Sequence, residues 1–305
     1  MATISGTVYD ASGLPGPGRI IRVYRRDSGA LIGTTRSMDA IPDPDDNYSN
    51  VTLLLHMDGN PGSSLIKDSS PLNSEIVSYG GLALTNSDYK FGVSCLYFNG
   101  DGMYLDVPQQ ARPTSTEQFT IETFIKISTL PSSDRRYQIY SQHTESVSHI
   151  SIEISPDGYL ILWLGATSTT VFSNTPLPIN QWVHVAVSRT SEGFFLFQDG
   201  NLVGSTTDNS SLVSTGECRI GRHGGDRTDW DFSGYMDEFR ITRGVGRYSS
   251  NFSPPTKQFY DPYYGNLTTG EYKIDIDDYI GEVNVLCLDD AEGVVRNDIV
   301  QRVLL

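Results

Sequence analysis

Basic residues are scarce: 22 Lys and Arg stand against 37 Asp and Glu in 305 residues, a formal net charge of −15 at pH 7. Nucleic-acid binding needs clustered cations to neutralise phosphates, so this balance argues against a nucleic-acid partner and leaves saccharides, metal ions and other proteins. No run of about 18 apolar residues occurs, the length a helix needs to cross a bilayer, so no membrane insertion is expected. The opening MATISGTVYD lacks a basic segment followed by an apolar one, so the chain is expected to be made in a cytosol and to stay soluble. Cysteine is limited to Cys95, Cys218 and Cys287, without CxxC or zinc-ligand spacing, which excludes a disulfide framework and suggests small buried apolar side chains. A sustained helical period is missing too.

What is present is alternation. With 29 Gly, 15 Pro and 17 Tyr set between short β-rich runs, the composition favours an all-β protein. The clearest stretch is 182–205, WVHVAVSRTSEGFFLFQDGNLVGS, whose period-two pattern predicts strands with one face in a core and the other toward water. Asp199-Gly200 predicts a tight hairpin turn. Residues 118–128 alternate likewise, with Phe119, Ile121, Thr123, Ile125 and Ile127 on one face and Thr120, Glu122, Phe124 and Lys126 on the other. Roughly twelve strands follow from such patterns between 50 and 258, which suits a jelly-roll double sheet.

The flanks read differently. TISGTVY, RIIRVYR and ALIGTT predict three strands before residue 37, and EYKIDID, GEVNVLCLDD and NDIVQRVLL three more after Gly270. Neither triplet carries enough core to stand alone, whereas joined they make a sandwich of about 75 residues, large enough to fold. Acidic, Pro-broken segments at 38–49 and 259–267 read as linkers, and their shared Asp-Pro followed by Tyr, Asn and Thr is what an inserted module leaves at its edges. The organisation expected is therefore 1–37 with 268–305 as one discontinuous domain and 50–258 as a second domain inserted into it.

Specific wording carries a resemblance. VTLLLHMD (51–58), YFNGDGMYL (97–105), FTIETFIK (119–126), QWVHVAVSR (181–189), FQDGNLVG (197–204) and FSGYMDEFRITRGVGRYSSNFSPP (232–255) resemble the concanavalin A-like, laminin G-like jelly-roll domain in its phage and bacterial form. The flanks resemble a small carboxypeptidase-regulatory-like, Ig-like β-sandwich of phage tail proteins. The resemblance implies an all-β virion component, the laminin G-like sandwich facing outward and the small Ig-like sandwich docking to other tail proteins. It also implies a calcium ion held by Asp58, after the first strand of the block, and Asp237, in the MDEFRI segment, where carboxylates and carbonyls suit a hard cation.

Catalysis finds little support. A retaining glycosidase of this fold needs two carboxylates ~5–5.5 Å apart on one strand face, and no such E-x-D-x-E run lies in the block. Asp275, Asp277 and Asp278 read as a solvated strand face, Glu122 and Glu153 stand isolated, and His143, His149, His184 and His223 lack zinc spacing. For ligand contact the loop RHGGDRTDWD, 222–231, has the right composition: Trp230 for stacking, with Asp226, Arg227 and Asp229 to fix hydroxyls. Trp163 and Trp182 lie in strands and read as core. The expectation is a non-enzymatic tail protein, present in multiple copies, that binds a host-surface glycan or protein. The competing class is a structural module that decorates the particle without touching the host.

Overall fold

In the computed structural model the residues described are 2–7, 20–25, 28, 31–36, 45–143, 148–225, 227, 229–261, 271–276, 281–288 and 295–303. Alternating segments form the strands. At the N-terminal side these are β1 (Ala2–Thr7), β2 (Ile20–Arg25) and β3 (Leu31–Arg36). The central block supplies β4 (Val51–Leu55), β5 (Ser78–Tyr79), β6 (Leu84–Thr85), β7 (Cys95–Asn99), β8 (Tyr104–Asp106), β9 (Phe119–Lys126), β10 (Tyr137–His143) and β11 (Ser148–Ile154). It continues with β12 (Tyr159–Leu164), β13 (Thr169–Pro176), β14 (Val183–Thr190), β15 (Gly193–Gln198), β16 (Asn201–Thr206), β17 (Glu217–Ile220) and β18 (Ser233–Arg243). Last come β19 (Glu271–Ile276), β20 (Gly281–Leu288) and β21 (Val295–Val303).

The block forms two antiparallel sheets. One has seven strands in the order β13-β12-β11-β10-β17-β8-β5; the other has eight, β16-β15-β14-β9-β18-β7-β6 with β4 on β18. Fifteen strands, β4 to β18, replace the roughly twelve expected; β5 and β6, two residues each, are too short to show a period in sequence. Between the sheets lies one apolar cluster that includes Phe98, Phe119, Tyr140, Phe194, Phe232 and Phe239. All six rings are fully buried, the dominant favourable contribution to a sandwich of this kind. Cys95 and Cys218 are free and buried.

The 182–205 hairpin forms as its sequence predicts. β14 pairs with β15 from Val185↔Gln198 to Thr190↔Gly193. Asp199 and Gly200 take φ of +47° and +73°, the left-handed pair of a tight turn, and Asp199 Oδ1 accepts the His184 N–H at 2.8 Å. Its second face, however, is not in water. His184, Ala186 and Ser188 on β14, with Thr120, Glu122 and Phe124 on β9, are buried as fully as the core face. Residues 244–261 run across them: Tyr248 stacks on Phe252 at 3.6 Å, Phe252 meets Phe197 and His184 edge-on, and Phe252 N–H donates to Gly200 C=O at 2.9 Å. A covering segment far along the chain turned an expected half-exposed sheet into a buried one.

At the chain ends, β1 pairs with β19 from Ala2↔Ile276 to Thr7↔Glu271. β2 pairs with β20 and β3, and β21 completes a four-stranded sheet. Among the described residues these six strands pair with one another and not with β4–β18. The segments expected as linkers do more than connect. Asp45 is held by Arg240 and Arg247, and Phe259 and Asp261 are buried, so 45–50 and 251–261 belong structurally to the central sandwich. The remaining linker residues, and Asp277 and Asp278, lie outside the described residues.

Candidate functional site

The 222–231 loop leaves β17 at Gly221, whose N–H donates to Ile139 C=O at 3.2 Å, and turns back over the outer face of the seven-stranded sheet. Its backbone is stitched to β10: Gly224 N–H donates to Ser141 Oγ at 3.1 Å, and Gln138 N–H donates to Trp230 C=O at 3.3 Å. Trp230 is half-buried, and three side chains lie against its ring. The Arg227 guanidinium lies 4.5 Å from its centroid, Arg136 5.2 Å, and His223 meets it edge-on at 5.8 Å. His143 lies 5.1 Å beyond His223. Of the four residues expected here, Trp230 and Arg227 come together, Asp229 is exposed beside them, and Asp226 lies outside the described residues.

Electrostatics at this loop favour negative charge. Burial, then the neighbouring His143 and Arg227, hold the His223 imidazole down to about 4. Burial and His143 likewise lower His149. Three of the nearby guanidinium groups are committed: Arg136 to Glu153 at 2.6 Å, Arg219 to Glu217 at 2.8 Å, and Arg222 to Asp231 at 3.5 Å. Among the described residues Arg227 makes no ion pair. Both side-chain atoms of the fully buried Gln138, and Trp230 Nε1, have no protein partner, so donors and an acceptor lie beside an aromatic ring. Sequence reasoning missed Arg136, Gln138 and His143, which come from β10 and its approach, over 80 residues upstream of the loop. No spacing links them to RHGGDRTDWD; only strand pairing does.

The two residues expected to hold a cation also come close to one another. β18 shifts register against β9 between Asp237 and Arg240, and Glu238 takes φ +53°, a bulge that turns two neighbouring carboxylates toward β4. Asp237 Oδ2 accepts the N–H groups of Lys90 (2.8 Å) and Phe91 (3.0 Å). Asp58 Oδ1 accepts those of Val93 (2.7 Å) and Ser94 (3.2 Å), and its Oδ2 accepts the Gln258 amide. Gly92, at φ +66°, leaves the Asp58 carboxylate the space that a Cβ would fill. Glu238 pairs with His56 at 2.9 Å. Burial pushes the Asp58 carboxyl up to about 7, and burial with the charges of Glu238 and Asp58 raises Asp237 well above the usual range. The Asp58 and Asp237 oxygens serve the N–H groups of the 90–94 loop, only Asp237 Oδ1 is buried without a partner, and no group of three or more His, Cys, Asp or Glu with metal-holding geometry occurs among the described residues.

The carboxylates that looked isolated are not. Glu122 Oε1 accepts from Arg240 Nε (3.0 Å) and Nη2 (2.8 Å), its Oε2 accepts from Tyr248 Oη at 3.0 Å, and His184 Nε2 lies at 3.2 Å. Arg240 also meets Asp45 at 3.0 Å rather than Asp237. Burial opposes ionisation of Glu122, yet Arg240 and His184 hold it well below the carboxylate range. Trp163 and Trp182 are half-buried rather than core, and Trp182 Nε1 donates to Asp88 Oδ1 at 3.0 Å.

Two facing antiparallel sheets closed around one aromatic core decide the architecture. Residues 99–245 match the Laminin_G_3 family of the concanavalin A-like lectin/glucanases superfamily. The central block is a jelly-roll sandwich that is similar to this family over those residues. Among solved structures, this laminin G-like fold is shared with domain 4 of AbnA, an extracellular GH43 arabinanase from Geobacillus stearothermophilus. That likeness has 18% identity and a TM-score of 0.50, covering 64% of this chain and 93% of that one. The binding domain of botulinum neurotoxin serotype G is 14% identical at a TM-score of 0.48, covering 66% of this chain and 49% of that one. A botulinum neurotoxin type C structure is 14% identical at a TM-score of 0.47, over 72% and 51%. The chain thus spans about half the length of these toxin chains. A search of the curated proteins finds no match.

Proposed function

We propose that this chain is a non-enzymatic phage tail protein whose laminin G-like domain binds a host-surface glycan through the Trp230 loop. The observation that carries the reading is the loop itself: a half-buried indole beside guanidinium groups and unpartnered buried amide atoms, laid over a sheet face by backbone hydrogen bonds. Saccharide sites combine such an aromatic surface with a few fixed polar groups. The absence of catalysis is supported by the neutralisation of Glu122 by Arg240 and of Glu153 by Arg136, which leaves neither as an acid–base group. The arabinanase domain of like fold was solved in complex with arabinotriose.

The pairing of β1 with β19 and of β2 with β20 supports residues 1–37 and 268–305 as one small Ig-like sandwich with the block 50–258 inserted, the part that docks to other tail proteins. Several copies per particle make weak single-site affinities effective. A glycan array probed with the full chain tests this: binding to a defined glycan class, lost in Trp230→Ala while the unfolding midpoint holds, is the expected result. An empty array, with phage adsorption unchanged by Trp230→Ala, overturns it in favour of a purely structural tail module. Calcium at Asp58 and Asp237 has its own titration: a rise in Tm with added Ca2+ that is lost in Asp237→Asn is expected of a cation site, and a flat Tm removes calcium from the reading.

A further inference from the structure

We propose that the Trp230 site selects saccharides bearing an isolated carboxylate, with Arg227 pairing with that carboxylate and Trp230 stacking on the sugar ring. The inference rests on the glycan-binding reading above and narrows its ligand. Around the indole the cations divide sharply. Arg136, Arg219 and Arg222 already face Glu153, Glu217 and Asp231. Arg227 is exposed, lies over the ring of Trp230 at 4.5 Å, and pairs with no acid among the described residues. A cation–π contact at an exposed site is weaker than a bidentate guanidinium–carboxylate pair, so a carboxylate draws Arg227 off the ring and frees that ring face for the sugar.

Two further observations point the same way. Gln138 is fully buried with its amide oxygen and nitrogen unpartnered, and Trp230 Nε1 shares that condition, so unspent hydrogen-bonding capacity lies under the loop. Beyond burial, the charges of Arg227 and Arg219 also lower the His223 imidazole, so cations gather at this loop in a chain of net charge −15. The exposed Asp229 opposes a second negative group, and the overall charge repels polyanions, so one carboxylate on a short, otherwise neutral saccharide is the ligand that fits.

The test uses the full chain and matched probes by calorimetric titration at fixed salt: sialyllactose against lactose, and a glucuronate-terminated disaccharide against its methyl ester. The acid member of at least one pair is expected to bind about tenfold or more tightly than its neutral partner. Whichever pair shows it names the source of the carboxylate. Arg227→Ala removes that preference without moving the unfolding midpoint, and Arg227→Lys keeps part of it, a point charge being retained without the fork. Equal binding of acid and neutral members, or a preference that survives Arg227→Ala, overturns the inference. If such equal binding still disappears in Trp230→Ala, the glycan reading stands and only the carboxylate falls; no binding of any probe or arrayed glycan removes both.

Discussion

Across the outer face of the eight-stranded sheet, residues 244–261 bury a set of charges that answer one another: Glu122 with Arg240, Tyr248 and His184, and Asp45 with Arg240 and Arg247. Across the outer face of the seven-stranded sheet, the 222–231 loop covers β10 but, among the described residues, leaves the Gln138 amide and Trp230 Nε1 without hydrogen-bond partners and the Arg227 charge without an acid. Both faces are covered and both carry arginine on aromatic rings. The difference lies in how the charges pair: on the first face Glu122, Asp45, Arg240 and Arg247 meet opposite charges, although His184 Nδ1 and Asp237 Oδ1 have no hydrogen-bond partner, whereas on the second Arg227 meets no acid among the described residues. Charges that answer one another hold the fold together, whereas an unanswered cation beside an aromatic ring is open to a ligand.

The comparison breaks most directly at Arg240. Arg240→Ala leaves Glu122 buried with Tyr248, His184 and the more distant Arg247 at 3.9 Å, and removes the cation over Phe259, 3.9 Å from its ring. A loss of about 3–5 kcal/mol in urea unfolding is expected, with glycan binding per folded molecule unchanged. Next in size is a pH effect on the other face. His223 is held at about 4 by burial and by His143 and Arg227, below its ordinary 6.5, so the folded state binds fewer protons than the unfolded state between those values. Its stabilisation is complete above pH 6.5 and declines as pH falls toward 4, by about 3 kcal/mol at most. Unfolding measured from pH 7 to 4 shows this, and in His223→Gln that part of the slope disappears.

Gly200→Ala probes the attachment of the covering segment. At φ +73° the new Cβ is strained and falls onto the Phe252 carbonyl, so a cost of about 1–3 kcal/mol and faster exchange of the Phe252 amide are expected. Smallest is Trp230→Ala, expected to change stability by about 1 kcal/mol or less because the ring packs on mobile-ended arginines rather than in the core, while abolishing glycan binding. A destabilisation as large as that of Arg240→Ala would erase the distinction between the two faces.

Much of the sandwich was legible in the chain. Period-two segments became β9, β14 and β15, Asp199-Gly200 became the turn between β15 and β16, and the terminal runs became β1–β3 and β19–β21. Polar residues on outward positions misled, because Glu122, His184 and Ser188 follow the pattern of a solvated face yet are buried. The pattern records which side chains share a face, and burial of that face depends on a segment 50 or more residues away. Trp230 and Arg227 were found as a composition within one loop; Arg136, Gln138 and His143 carry no such local mark.

By itself the sequence determined the strand period, the hairpin turn and the choice between apolar and polar faces, since backbone pleat and glycine conformation are set by neighbouring residues. Tertiary structure decided which polar groups pair. It placed Arg240 on Glu122, gave the oxygens of Asp58 and Asp237 to the 90–94 loop, and set Arg227 on Trp230 with no acid paired to it among the described residues. Those outcomes depend on distances between strands far apart in the chain, and charge pairing decays over a few ångströms.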